Sequence, residues 1–390
     1  MVKSKKIALV FAGQGAQYPG MGKSLYDVSA AARAIFEVAG EKVTRDCFEA
    51  SQEELDMTDV TQPAVYTVDL AAWVAFAERV GLSWPNEAGV DDVGVSGAAG
   101  FGADSASAVD GAPRAAGLGA DSASVADGAP RAAGFASSVI VEIIGMAGYS
   151  LGEYSAFTAS GIIPDVKAGI ELIKERGRLM AAAGRHADGS PRGAMAAVLG
   201  ARDDVLELVE RARGRFVLEA VNLNTPTQTV ISGDAEAIEA FRSLAKTSGK
   251  KLRVMPLSVS TAFHSPIMAP ASDGIREAAS QIAFGEPVYE LYLDMTAGTL
   301  TEYLKDKGEI SGKAKDLVPA IMAEQVKSPV RWQEITEAFA AAGADAIVEF
   351  GPGKTLTGFA KRTAPGVMAL NVQDAESLDE TIRALYGSGE

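Results

Sequence analysis

Apolar runs that end at glycines recur along the chain. They occupy residues 7–11, 139–146 and 346–350. A short apolar run followed by a glycine turn is typical of a buried strand. Between these runs lie segments with the hydrophobic period of a helix, at residues 63–80, 151–160 and 166–183. Because strands that alternate with helices form parallel sheets, the pattern predicts an α/β fold whose functional loops follow the carboxyl ends of the strands.

Residues 193–257 carry a different pattern, in which short β-like runs flank two helical stretches. The β-like runs are residues 194–199, 228–231 and 251–257, and the helical stretches are residues 203–213 and 235–247. This order is typical of a small α+β unit. We therefore predict a small subdomain at residues 191–257, inserted into a large domain formed by residues 1–190 and 258–390.

A repeated segment of low complexity lies within the large domain, at residues 89–138. Residues 100–116 recur as residues 117–133, with 14 of 17 positions identical. A solenoid needs about three repeats that each bury an apolar face, and these two Ala, Gly, Ser and Asp-rich units offer little to bury. The sequence therefore predicts a flexible surface loop in this segment.

Charge and composition narrow the classes of function. The chain has 390 residues with 51 acidic and 36 basic side chains, a net charge of −15, whereas a nucleic-acid binder presents a basic face. No apolar stretch approaches the ~20 residues of a membrane span. The single cysteine, Cys47, cannot form an internal disulfide, and the sequence has no Cys/His cluster for zinc. We expect a cytoplasmic protein that binds neither nucleic acid, nor membrane, nor metal.

The strongest chemical signal is the sequence Gly-Tyr-Ser-Leu-Gly at residues 148–152. It lies between a predicted strand and a predicted helix, which is the context of a nucleophile elbow. The alternative is a chance occurrence in a chain with 41 glycines. In an elbow, Ser150 is the nucleophile at a helix amino terminus, where the N–H of Leu151 is free to bind an oxyanion.

Two neighbouring features bear on the same elbow. The glycine loop after the first predicted strand lacks the third glycine of a dinucleotide fingerprint. It is instead placed to supply a second N–H for the oxyanion, that of Gln14. Ser150 and Glu153 also match a capping box, so we expect Glu153 to be structural.

A nucleophilic serine needs a base, and the chain has two histidines. His186 lies in a polar, glycine-flanked stretch that predicts an exposed loop. His264 follows a β-like run, so it is the better candidate if Ser150 is the nucleophile. Arg176 lies on a predicted helix and is either solvated or directed into a pocket, where its guanidinium would bind a carboxylate. The spacing leaves both interpretations of Arg176 open.

Seven motifs occur in order over nearly the whole chain. Together they resemble the malonyl-CoA:acyl-carrier-protein transacylases of bacterial type II fatty acid synthesis. The motifs are residues 11–17, 148–153, 175–180, 221–226, 262–266, 325–330 and 349–354.

The resemblance implies an α/β-hydrolase-like large domain with a largely parallel sheet, plus an inserted ferredoxin-like small subdomain. It implies ping-pong transfer of the malonyl group from malonyl-CoA, through an ester on Ser150, to the phosphopantetheine thiol of an acyl carrier protein for fatty acid biosynthesis. No further cofactor is implied. The alternatives are an acyltransferase that serves a polyketide pathway and a serine thioesterase or esterase.

The resemblance also implies residue roles. His264 activates Ser150, and the backbone N–H groups of Leu151 and Gln14 form the oxyanion hole. The backbone carbonyl of Gln325 orients His264 in place of a triad aspartate, a variation that the logic of a triad permits.

Three further positions are implied to bind substrate. Arg176 pairs with the malonyl carboxylate, Met180 belongs to the same motif, and Phe263 leaves little room for an α-methyl group. The chain departs from the family's pattern at Tyr149, where the family usually has histidine. Because that histidine is not the base, we expect little loss of chemistry from the tyrosine.

Overall fold

The computed structural model describes residues 3–82, 139–259, 261–307 and 314–387. The repeated segment at residues 89–138, which the sequence predicts as a flexible loop, lies outside the described residues. The strands of the described residues are β1 (Lys3–Phe11), β2 (Val139–Gly148), β3 (Ala194–Leu199), β4 (Leu218–Thr225), β5 (Gln228–Gly233), β6 (Arg253–Pro256), β7 (Ala346–Phe350) and β8 (Met368–Val372).

Helices connect and cover these strands. They are α1 (Lys23–Val28), α2 (Ala30–Ala39), α3 (Glu41–Glu49), α4 (Gln52–Leu55), α5 (Thr58–Val80), α6 (Leu151–Ala159), α7 (Val166–Ala183), α8 (Arg202–Arg213), α9 (Ala235–Thr247), α10 (Ala269–Ala279), α11 (Leu300–Asp306), α12 (Ala314–Gln325), α13 (Trp332–Ala341), α14 (Thr355–Thr363) and α15 (Ala375–Tyr386).

The larger sheet is parallel throughout, with strand order β2-β1-β7-β8. Alternate residues of β1 enter two hydrophobic clusters. Ile7, Leu9 and Phe11 share one cluster with buried residues of α5, and Ala8 and Val10 share another with residues of α13 and α14. Because helices cover both faces of the sheet, every residue of this stretch has to be apolar. The predicted α/β fold with a parallel sheet is therefore confirmed.

The register of the sheet brings two loops together. Phe11, the last residue of β1, pairs with Gly148, the last residue of β2. The loop that holds Gln14 and the turn that holds Ser150 therefore leave the sheet side by side at its carboxyl edge. The N–H of Tyr149 donates to the carbonyl of Phe11 at 3.0 Å and fixes this contact.

The smaller sheet is antiparallel, with strand order β4-β5-β3-β6. Its chain order is β3-α8-β4-β5-α9-β6, the split β-α-β topology of ferredoxin-like units. The sequence pattern missed β4, because Asn222 and Asn224 interrupt its apolar residues. The sheet and its two helices enclose a separate hydrophobic cluster that includes Ile231 and Phe241.

Helix α5 runs through the centre of the larger unit. It begins at Thr58, five residues before the predicted start at Pro63, because the proline is accommodated within the helix. The rings of Trp73 and Phe76 lie 5.5 and 5.4 Å from that of Phe350 on β7. In the part of the chain that the structure describes, no helix has both the length and the hydropathy required to cross a membrane.

The tight packing of the turn between β2 and α6 predicts a steric effect at Gly148. A Cβ atom there would lie 1.8 Å from the carbonyl carbon of Gly152, a backbone atom that cannot move independently. We expect Gly148→Ala to lower the free energy of unfolding by about 3 kcal/mol, as overpacking does in a dense core. Urea denaturation measures the change.

Gly358→Ala is the matched control for this prediction. Gly358 lies within α14, and the atom nearest to an added Cβ is Arg362 Nη2, at 3.9 Å. An alanine there should stabilise the helix by up to about 1 kcal/mol. A Gly148→Ala protein that unfolds at the wild-type urea concentration contradicts the steric argument.

Candidate active site

Ser150 lies in a strained turn between β2 and α6. Its φ is 55° and its ψ is −102°, outside the conformations that non-glycine residues usually adopt. Among the described residues, the non-glycine positions with positive φ are Ser150, His264 and Ala297. Such strain costs on the order of 1–3 kcal/mol and persists only where the surroundings impose it. Two of the three strained positions are thus the serine and histidine that the sequence singled out.

The side chains of Ser150 and His264 are in direct contact. Ser150 Oγ lies 2.7 Å from His264 Nε2. The other ring nitrogen, Nδ1, lies 3.2 Å from the carbonyl oxygen of Gln325 and 2.9 Å from that of Ser328. Both carbonyls are acceptors, so Nδ1 carries the proton and Nε2 is free to accept one from the serine. Sequence reasoning missed Ser328, because it acts through a backbone atom that any residue possesses.

His264 is buried, and its environment keeps it neutral. Burial and the nearby Arg176 guanidinium lower the pKa of His264 to about 4, although the two carbonyl hydrogen bonds oppose that change. At neutral pH the imidazole is therefore unprotonated, which is the form that a general base requires. The second histidine, His186, lies on an exposed loop, as the sequence predicted.

Arg176 is 1% exposed, so the interpretation of it as a solvated surface residue is wrong. On α7, its Nη1 donates to Gln62 Oε1 at 2.8 Å and its Nη2 donates to Gln325 Oε1 at 3.1 Å. The guanidinium also lies 4.9 Å from the ring centre of Tyr154. Within the described ranges, the salt bridges do not include Arg176. Its charge is thus held by neutral partners.

A cavity of about 310 Å³ connects these side chains. Its lining includes the following residues of the predicted site: Gln14, Ser150, Arg176, Met180, Phe263 and His264. The smaller sheet contributes Met195, Asn222 and Val230 to the opposite wall. The cavity therefore lies between the two sheets, with the serine at the carboxyl edge of the larger one.

Two backbone N–H groups, one on the elbow and one on the neighbouring loop, are free to bind an oxyanion. The N–H of Tyr149 donates to Phe11 and that of Gly152 donates to Tyr149, each at 3.0 Å. The hydrogen bonds of the described residues leave the N–H groups of Gln14 and Leu151 without an acceptor. These are the two groups predicted for the oxyanion hole, and they lie on the two loops that the sheet register brings together.

The capping box predicted for Ser150 and Glu153 is wrong. The Ser150 side chain makes no capping hydrogen bond, because its hydroxyl is engaged with His264. The Glu153 carboxylate instead accepts from the backbone N–H of Asp294 at 2.8 Å and from Gln325 Nε2 at 2.7 Å. Burial raises the pKa of Glu153 to about 7, and the hydrogen bonds and Arg176 oppose the rise.

Sequence reasoning missed Asp294 altogether. Its Oδ2 accepts the backbone N–H of Ser150 at 2.7 Å, and its side chain is buried. Burial and the neighbouring Glu153 raise the pKa of Asp294 well above its usual value. The available signal was an acidic residue directly after the apolar residues 291–293, which is weak without knowledge of the partner.

Tyr149 links the elbow to the smaller sheet. Its hydroxyl donates to Asn224 Oδ1 on β4 at 2.8 Å, and its ring packs edge-on against Trp332 at 5.5 Å. The tyrosine that departs from the family pattern thus joins the two sheets next to the nucleophile. In the residues covered by the structure, no group of three or more His, Cys, Asp or Glu side chains is arranged to hold a metal ion.

A serine hydrogen-bonded to a neutral histidine, on an elbow of a parallel sheet, defines a serine enzyme that acts on acyl groups. Comparison with known proteins gives the family. The acyl transferase domain family matches residues 132–387. A malonyl CoA-acyl carrier protein transacylase of Bacillus subtilis is 30% identical over 387 residues, which cover 97% of each chain. The chain therefore belongs to the acyl transferase family and, within it, to the malonyl CoA-acyl carrier protein transacylases.

Solved structures agree with this assignment. The malonyl CoA-acyl carrier protein transacylase from Clostridium perfringens superposes with a TM-score of 0.73 at 28% identity, covering 97% of each chain. A malonyl-transacylase solved in complex with its type II PKS acyl-carrier protein gives a TM-score of 0.72 at 27% identity. That match covers 97% of this chain and 99% of the other.

The low pKa of His264 predicts an unusual pH profile for the reactivity of Ser150. A fluorophosphonate probe reacts with the hydroxyl only when the imidazole is neutral. We expect a labelling rate that is constant above about pH 5 and that falls toward a pKa near 4. Mass spectrometry of timed reactions measures the rate, with Ser150→Ala as the unlabelled control. A fall in rate centred near pH 6.5, the usual histidine pKa, contradicts the burial argument.

Proposed function

We propose that this protein transfers the malonyl group of malonyl-CoA to the phosphopantetheine thiol of an acyl carrier protein. The observation that carries the proposal is the buried, neutrally partnered Arg176 in the same cavity as Ser150 and His264. A cavity with a fixed positive charge beside a nucleophile suits an acyl group that ends in a carboxylate. The names of the curated relatives support the same acyl donor and acceptor.

The first half-reaction forms an ester on Ser150. His264 Nε2 takes the hydroxyl proton as Ser150 Oγ attacks the thioester carbon of malonyl-CoA. The N–H groups of Gln14 and Leu151 stabilise the negative charge that develops on the carbonyl oxygen. The C–S bond then breaks, and the CoA thiolate leaves with the proton from His264.

The second half-reaction returns the enzyme to its starting state. The phosphopantetheine thiol enters in place of CoA, and His264 takes its proton as the sulfur attacks the malonyl ester. The Ser150 oxygen leaves and recovers that proton from the imidazole. The carbonyls of Gln325 and Ser328 hold Nδ1–H throughout, so the ring keeps one orientation. The proposed chemistry uses side chains and backbone of this chain, and phosphopantetheine enters as part of the substrates.

Arg176 gives a physical reason for selectivity. The malonyl carboxylate gives the guanidinium an anionic partner in addition to Gln62 and Gln325, whereas an acetyl group leaves the buried charge without a counterion. Leaving one member of a buried pair uncompensated costs about 3–5 kcal/mol. Phe263 and Met180 line the same cavity and limit its width beside the acyl chain.

The proposed domain organisation accounts for the position of the cavity. We propose that residues 191–257 form a subdomain that supplies one wall, through Met195, Asn222 and Val230. The remainder of the described chain supplies the nucleophile, the base and the cation. Substrate specificity would then depend on both units, and the chemistry on the larger one.

Intact-protein mass spectrometry tests the transfer itself. We expect malonyl-CoA to add one malonyl group to the wild-type protein and none to Ser150→Ala. A carrier protein with a phosphopantetheine thiol should then remove the group and gain it. Loss of the adduct into buffer, at a rate that the carrier does not change, supports the alternative of a thioesterase and contradicts transfer.

Arg176→Ala tests the carboxylate interaction. We expect kcat/KM for malonyl-CoA to fall on the order of 100-fold or more, since about 3–5 kcal/mol is lost with one buried charged partner. The preference for malonyl-CoA over acetyl-CoA should fall with it. Arg178→Ala is the matched control, because Arg178 lies on the same helix but is exposed and paired with Glu175. Equal malonyl preference in the Arg176→Ala and wild-type enzymes contradicts the assigned role.

A further inference from the structure

A closed ring of hydrogen bonds surrounds the backbone of Ser150. On one side, the N–H of Ser150 donates to Asp294 Oδ2 at 2.7 Å. On the other side, the carbonyl of Ser150 accepts from Gln325 Nε2 at 2.7 Å. Glu153 closes the ring, because its two oxygens accept from the N–H of Asp294 and from Gln325 Nε2. The ring joins the elbow to the loop before α11 and to the end of α12.

The ring holds a backbone conformation that is unfavourable by itself. The φ of 55° at Ser150 needs an external constraint, because a side chain at positive φ crowds its own backbone. The N–H of Ser150 precedes the first turn of α6 and has no helical acceptor. Asp294 supplies that acceptor, and it is itself placed by the Glu153 carboxylate.

We propose that Asp294 is a positioning residue for the nucleophile, and that Glu153 fixes Asp294 in place. The inference rests on the proposed role of Ser150. Asp294 acts through the serine backbone: it is 1% exposed and does not line the cavity. Its hydrogen bond sets the rotation of the elbow peptide. That rotation determines both the 2.7 Å separation of Ser150 Oγ from His264 Nε2 and the direction of the Leu151 N–H.

The surroundings of Asp294 indicate which substitutions separate an effect on the position of Ser150 from an effect on the stability of the protein. Two buried carboxyl groups, Asp294 and Glu153, interact with each other and with the guanidinium of Arg176. Asp294 Oδ1 has no hydrogen-bond partner in the described structure, so only Oδ2 is used. Asp294→Asn keeps the size of the side chain and one carbonyl oxygen for the Ser150 N–H. Asp294→Ala removes the acceptor.

Asp69 provides a matched control elsewhere in the core. It is also a fully buried aspartate with one oxygen bonded, to Ser155 Oγ at 2.7 Å, and with Oδ1 unpaired among the described residues. Asp69 lies on α5, and its carboxylate accepts from the Ser155 hydroxyl instead of from the Ser150 backbone. Asp69→Ala therefore removes a comparable buried carboxyl group without removing the constraint on the elbow.

The experiment separates the rate of acylation from the affinity for substrate. Rapid-quench mass spectrometry gives the single-turnover rate constant for malonylation of Ser150 by malonyl-CoA, and calorimetry in the Ser150→Ala background gives Kd. We expect Asp294→Ala to lower the rate constant about tenfold to hundredfold, the scale of a misaligned nucleophile, with Kd unchanged. Asp294→Asn should stay close to wild type. Asp69→Ala should lose stability but keep the wild-type rate constant.

The possible outcomes are distinguishable. If wild-type Ser150 is not malonylated, the proposed function fails, whereas the inference about Asp294 fails if Asp294→Ala and wild type acylate at the same rate. An equal loss of rate in Asp69→Ala also overturns it, because general loosening of the core then suffices. If Asp294→Ala does not fold, Glu153→Gln gives the second test. Its new amide cannot accept from both neighbours, so we expect a reduced rate constant with Kd unchanged, and a wild-type rate constant overturns the inference.

Discussion

The fold buries the positively charged guanidinium of Arg176 beside Ser150 and His264. The rest of the site follows from this placement. The charge adds to burial in keeping the imidazole neutral, so the base is ready before substrate arrives. It also opposes the rise in the pKa of the buried Glu153. A site arranged around one fixed cation therefore favours an anionic acyl group and an unprotonated base at the same time.

The parallel sheet makes this arrangement possible by bringing distant segments to one edge. The register between β1 and β2 places the Gln14 loop beside the elbow, although more than 100 residues separate them in the sequence. The smaller sheet then closes the cavity from the other side. Tyr149 and Asn224 connect the two units next to the nucleophile, and the backbone of Val330 bonds to Val221 and Leu223 around β4.

Local sequence patterns predicted the parts of the structure that local physics determines. The apolar runs at residues 139–146 and 346–350 lie in strands β2 and β7, and residues 166–183 form α7. Each segment was predicted correctly because its hydrophobic pattern is not interrupted. The scarcity of histidine and the elbow motif together identified the contact between His264 and Ser150. Strand β4 was missed because Asn222 and Asn224 interrupt its apolar residues, and Asn224 is polar where it accepts from the Tyr149 hydroxyl.

The remaining parts of the site depend on contacts between distant residues, and a one-dimensional pattern does not contain them. Glu153 fits a capping box by spacing, yet its carboxylate bonds to groups 141 and 172 residues away. Asp294 has no motif of its own, and its function appears only when the Ser150 N–H lies beside it. The Ser328 carbonyl cannot be predicted from residue type, since every residue has one.

Gln325 makes both backbone and side-chain contacts, and only the side-chain contacts depend on the identity of the residue. Its backbone carbonyl accepts from His264, whereas its side-chain amide contacts Arg176, Glu153 and the Ser150 carbonyl. Replacement of glutamine leaves the carbonyl oxygen in the chain, so the imidazole contact places little selection on the identity of the residue. Retention of glutamine would instead reflect its side-chain amide. The amide nitrogen donates to the Glu153 carboxylate, and the amide oxygen accepts from the Arg176 guanidinium. Natural variation at this position therefore reports on the acyl pocket more than on the base.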